Sequence, residues 1–155
     1  MEKKVVNKKA SDNEYFHLDF HLSMNMLLDY ILTNYGYEGV VEYIKQFTKT
    51  FHKPLIENLK NGSLLPLKEY IEEIYIREKC QVDITYNKDK LIFFIKTCPG
   101  ITHILKNNQQ PSKAYVETYN TLYKTICEKS PFSYKLISFN KETGKSKHQF
   151  TRRTI

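Results

Sequence analysis

A 155-residue chain with 41% hydrophobic side chains is long enough for one domain with an ordinary buried core. Its formal charge of +7 sits at the two ends: residues 1–10 carry +3, residues 141–155 carry +4, and the fifteen basic and fifteen acidic side chains between them cancel, which argues against a continuous nucleic-acid-binding face. Three cysteines with no Cys-x-x-Cys spacing argue against a disulfide framework or a cysteine-rich zinc site, and no apolar run approaches the length of a membrane span.

The N-terminal Lys3, Lys4, Lys8 and Lys9 have no apolar stretch behind them, so no secretory signal is expected. Residues 1–13 read as a flexible basic tail and 14–155 as a single domain. A reduced, cytoplasmic setting is the expectation.

Helical spacing of Phe20, Met24, Leu27, Leu28 and Ile31 predicts a first helix that starts near 14–20 and stops at Asn34-Tyr35-Gly36. Val40, Ile44, Phe47, Phe51 and Leu55 predict a second, which Pro54 should kink or restart. After Asn61-Gly62-Ser63, the residues Leu64, Leu67, Ile71 and Ile74 mark a third. The period then shortens to two. Val82, Ile84 and Tyr86 alternate with polar residues, Asn87 to Lys90 reads as a turn, and Leu91 to Ile95 reads as a strand buried on both sides or nearly so.

Thr97-Cys98-Pro99-Gly100-Ile101-Thr102-His103 reads as the loop leaving that strand, a place where a scaffold often presents reactive groups. A polar stretch from Lys106 to Pro111 leads into a fourth helix whose face is Tyr115, Tyr119, Leu122 and Ile126. Phe132, Tyr134 and Leu136 begin a third strand, Asn140 to Gly144 a turn with glycine suited to a left-handed conformation, and Ser146 to Arg153 a fourth strand with His148 and Phe150 on one face. The expected fold is α+β: a four-stranded antiparallel sheet made of two hairpins, covered by about four helices.

A Cys98-Pro99 step leaving a strand, then a helix, then a hairpin with Gly144 in its turn and His148-Gln149-Phe150 in its last strand resembles the L-2-amino-thiazoline-4-carboxylic acid hydrolase-like family of small bacterial proteins. More distantly the layout is similar to vinyl-reductase-type small-ligand-binding domains. The chain departs from the family pattern at Gly144-Lys145, where Gly-Asp is usual, and at His148, where the family has cysteine. The resemblance implies ring-opening hydrolysis of a small sulfur/nitrogen heterocyclic carboxylate, with a cysteine at the site.

Cys98 is the candidate nucleophile and His21 or His103 the candidate base. Lys96, which alternation puts on the Cys98 side of its strand, is the candidate cation for a substrate carboxylate. Asn25, four residues past His21, and Tyr119 and His148 are further candidates for substrate contact. In His17-Leu18-Asp19-Phe20-His21 the two histidines share a face on a helix, and with Asp19 on a strand, so His17 and His21 are candidate ligands for a divalent metal such as zinc; the other expectation is no cofactor. The competing reading is a non-catalytic domain that binds a small ligand among aromatic side chains, Tyr115, Tyr119 and Tyr123 with Tyr30, Tyr43 and Tyr75, and is compatible with a homodimer. Neither reading involves a membrane or nucleic acid.

Overall fold

The computed structural model describes residues 17–154. The expected tail, 1–13, and the start of the first helix before His17 lie outside the described residues. Five helices and four strands follow in the order α1 (His17–Phe51), α2 (Lys53–Lys60), α3 (Leu65–Arg77), β1 (Val82–Asn87), β2 (Lys90–Ile95), α4 (Pro99–Lys106), α5 (Glu117–Cys127), β3 (Phe132–Phe139) and β4 (Ser146–Arg152). The fold is α+β, with one antiparallel sheet in the order β1-β2-β4-β3.

α1 is continuous by its hydrogen bonds but breaks at Gly36, whose backbone (φ 70°, ψ −174°) only glycine adopts readily. The break falls where the Asn34-Tyr35-Gly36 stop predicts it. It reverses the chain: the Phe20 and Phe47 rings stack 6.1 Å apart, whereas a straight helix would separate them by about 40 Å. The two arms, 17–35 and 37–51, bury Met24, Leu28 and Ile31 from the first and Val40 and Ile44 from the second. Tyr37, just past the break, bonds through its hydroxyl to the Glu117 carboxylate of α5, fixing the second arm to the body of the domain.

Pro54 restarts the helix as expected, sitting in the first turn of α2, where its missing N–H has no partner to lose. The hairpin β1/β2 meets β3/β4 through β2 and β4, with Phe93 opposite His148 and Ile95 opposite Ser146. Period-two alternation then puts Leu91, Phe93, Ile95, Ser146, His148 and Phe150 on the buried face. α5 lies over that face. Its Tyr123 ring meets Phe93, Tyr134 and Phe150 at centroid distances of 5.7, 5.3 and 5.3 Å.

Two local expectations need correction. β2 is not buried on both sides, because the helices cover one face and leave Ile92 and Phe94 half-buried on the other. The stretch after Cys98 is not a loop: residues 99–106 form α4. Proline and glycine read as breakers, but proline suits the first helical position, and Ile101 and Ile104 at three-residue spacing turn fully into the core. Among the described residues no helix is long and apolar enough to cross a membrane.

Candidate functional site

Cys98 occupies the N-cap of α4, in extended conformation (φ −75°, ψ 123°). Its backbone N–H donates to the Thr143 carbonyl at 3.1 Å, tying the start of α4 to the β3–β4 turn. Gly144 of that turn has φ 68°, and a Cβ built there would fall on Cys98 Cβ. The turn is therefore a plug resting on the cysteine, and Cys98 is only 1% exposed.

The surroundings of the sulfur are polar. The Tyr119 hydroxyl lies 2.9 Å from Sγ and the Tyr115 hydroxyl 3.8 Å from it, both from α5 or the turn that enters it. Burial pushes the thiol up from its ordinary value. Hydrogen bonds from Tyr119, from the backbone of Ile101 and Gly100, and from Tyr115 oppose that shift by favouring a thiolate. Both tyrosines are themselves raised well above the usual phenol range, burial first and the nearby sulfur next.

Gly100 explains how α4 comes so close. A Cβ there would meet the Tyr115 hydroxyl and would lie 2.6 Å from His21 Nδ1. Tyr115 and His21 thus stand side by side over the first turn of α4. The other ring nitrogen of His21, Nε2, is 2.9 Å from Glu78 Oε1, a carboxylate 3% exposed at the end of α3. Glu78, His21, Tyr115, Cys98 and Tyr119 form one contiguous polar cluster from four separate stretches of chain.

The other sequence candidates fall around or away from this cluster. His103 lies on α4; five residues is about 1.4 helical turns, which takes it to the side opposite the buried sulfur, where its Nε2 sits 3.4 Å from Asn107 Nδ2. Lys96 does not share the Cys98 side. The chain turns after Ile95, so Lys96 is exposed, 3.7 Å from Asp83, while Cys98 goes inward. Asn25 is buried, accepting from the Ser112 N–H (2.7 Å) and donating to the Gln110 carbonyl (3.0 Å), and so clamps the loop before α5.

His148 is sealed in the core, stacked on Phe93 at 4.2 Å, with Nδ1 2.8 Å from the Tyr134 hydroxyl and Nε2 2.8 Å from Ser146 Oγ. Burial pulls its pKa down to about 3. Tyr115, Tyr119, Tyr123 and Tyr75 are packed core residues, whereas Tyr30 is exposed. The His17 side chain lies outside the described residues. Among the described residues no three His, Cys, Asp or Glu side chains gather as a metal-binding group.

Beside the cluster runs an open cleft of about 550 Å³, lined by Glu78, Lys79 and Cys80 after α3, Lys96 and Thr97 after β2, and Pro99, Thr102, His103 and Lys106 of α4. Cys80 is half-buried there, its thiol 3.2 Å from the Thr97 carbonyl. Glu78, Lys79 and the Tyr115–Cys98 contact escape sequence reasoning. Glu78 and His21 are 57 residues apart, and nothing in local spacing pairs them. Compared with protein-family models and with curated proteins, the chain matches none.

Proposed function

We propose that this protein is a small thiol-dependent hydrolase that opens a sulfur/nitrogen heterocyclic carboxylate of the thiazoline type. The observation that carries the reading is the convergence of a thiol, two phenols, an imidazole and a carboxylate on the first turn of α4, around a glycine with no room for a side chain. A core built for stability alone has little use for five such groups gathered around one helical turn, since burying each requires a partner.

Cys98 is the nucleophile. Tyr119 and the Gly100 and Ile101 N–H groups hold its sulfur. His21, oriented by Glu78, takes the thiol proton by way of the Tyr115 hydroxyl. The sulfur adds to the ring carbon between nitrogen and sulfur. The bond from that carbon to the ring sulfur breaks, and the departing sulfur receives the proton from His21. Water then adds to the same carbon and releases the Cys98 thiol, so the net reaction consumes one water and yields an open-chain thiol. Substrate reaches the sulfur when the 140–145 turn lifts from Cys98, and its return excludes bulk water. A divalent metal taken by His17 and by His21 through Nε2 would have to displace Glu78 from that nitrogen.

A second reading is favoured by the sealed sulfur: a reducing, cytoplasmic binding domain that holds the same ligand in the cleft without turning it over, as a monomer or a homodimer. Loss of the thiazoline ultraviolet absorbance, followed for the wild type and for Cys98→Ala, separates the two. The hydrolase reading expects a loss of roughly 10³-fold or more in the variant. Unchanged turnover removes Cys98 from the chemistry, and binding of the ring by wild type with no turnover establishes the second reading.

A further inference from the structure

We infer that the open cleft between the end of α3, the exit of β2 and α4 is a carboxylate-binding subsite with Lys79 as its principal contact. The inference deepens the proposed function, and its choice of ligand rests on that reading.

Three lysines, Lys79, Lys96 and Lys106, line one concavity together with His103. The acid that lines it, Glu78, is turned inward onto His21 and is nearly inaccessible. Among the described residues neither Lys79 nor Lys106 has a carboxylate within ion-pair reach, and Lys96 has only the exposed Asp83 at 3.7 Å. All three are exposed, so their mutual repulsion is screened by water, and their summed field favours an anion in the cleft. Lysines act as point charges toward carboxylate and phosphate alike, and the apolar Pro99 in the lining suits an acid borne on a small ring over inorganic phosphate. The lining also contains Thr97 and Pro99, the two chain neighbours of Cys98, so an acid group held here sits against the segment that carries the thiol.

Lys79 also carries a second, independent mark. Its φ is 53°, in the left-handed region. It ends α3 with its own N–H donating to the Ile76 carbonyl and the next N–H, from Cys80, donating to the Tyr75 carbonyl. This is the helix-ending position where glycine is usual, because a side chain there is strained. Folding alone would prefer glycine at 79; a ligand would prefer the ammonium. Stability and binding therefore respond in opposite directions to one substitution.

The experiment uses backbone-amide NMR titration with thiazolidine-4-carboxylate, a saturated ring that lacks the electrophilic carbon, with its methyl ester and inorganic phosphate as comparisons. Thermal unfolding is read in parallel. The carboxylate should move the amides of residues 79–81, 96–98 and 100–106, and the ester should not. Lys79→Gly should weaken the carboxylate at least ~10-fold while raising Tm by about 2 °C; Lys79→Arg should keep binding within about threefold. Equal binding of the ester, equal binding by Lys79→Gly, or phosphate binding as tightly as the carboxylate overturns the subsite, and a lower Tm in Lys79→Gly overturns the strain. The two proposals fail separately: carboxylate binding at these amides with no ring opening retains the subsite and removes the hydrolase, whereas turnover by Lys79→Gly at unchanged KM does the reverse.

Discussion

Acidification from pH 7 to pH 5 should remove about 4 kcal/mol of folding stability, a large share of what a domain of this size has. The cause is two histidines buried without a charge partner. His148 is held to a pKa of about 3 and His52 to about 4, in both cases by burial. The His52 ring is enclosed by Phe47, Phe51 and Tyr70. His148 is enclosed by Phe93, Tyr119, Tyr123 and Tyr134, with Ser146 on its Nε2. In the unfolded chain both titrate near 6.5. Protons therefore bind the unfolded state first as pH falls. The stability is complete above about pH 6.5 and drains as pH drops toward the folded values, at about 2 kcal/mol per histidine by pH 5. Urea unfolding at pH 7, 6 and 5 reads this directly. His52→Phe, which retains the ring packing, should halve the loss; a wild-type curve that is flat between pH 7 and 5 would show that neither imidazole is held neutral.

Gly144→Ala should destabilise the protein by about 3 kcal/mol, combining the left-handed backbone with an overlap on Cys98 Cβ. Gly62→Ala provides the comparison. Gly62 also has positive φ (82°), but its nearest neighbours are 3.9 Å from a built Cβ, so only the backbone penalty of about 1 kcal/mol applies. In thermal unfolding the difference between the two variants should be about 6 °C. Where the Gly144→Ala protein remains folded, its turn is displaced from α4, and a charged disulfide reagent should label Cys98 faster than in wild type. Equal Tm values for the two variants, with unchanged labelling, would mean that the turn does not press on the cysteine.

The architecture was legible because periodicity reports which face of an element is buried, and nearly every element here buries one face. The Gly36 break, the Pro54 restart, both hairpins and the left-handed Gly144 all follow from local residue chemistry. α4 was not legible, since eight residues starting with Pro-Gly offer only Ile101 and Ile104 as a helical signal. A loop over 98–103 would let His103 fold back on Cys98, whereas the helix carries it to the cleft. Alternation likewise misplaced Lys96, because the strand ends at Ile95 and the chain turns before the cysteine.

Cys98 and His21 could be singled out from sequence, as a thiol at a strand exit and an imidazole on an amphipathic helix. Their environment could not be. The Tyr115 and Tyr119 hydroxyls arrive from α5, and Glu78 from the end of α3, through packing that no local spacing encodes. The tyrosine stripe was visible as a stripe. That two of its hydroxyls reach a sulfur is a property of how α5 lies across the sheet.

In the proposed reaction the Cys98 sulfur forms a covalent bond to the ring carbon of the thiazoline. Acid quenching of wild-type protein mixed with 2-amino-thiazoline-4-carboxylate, followed by peptide mass spectrometry, reads that bond. An adduct of the thiazoline's mass is expected on the peptide containing Cys98, diminished in His21→Ala and absent in Cys98→Ala. Ring opening that proceeds with no adduct on Cys98, or with one on the more accessible Cys80 alone, would contradict it.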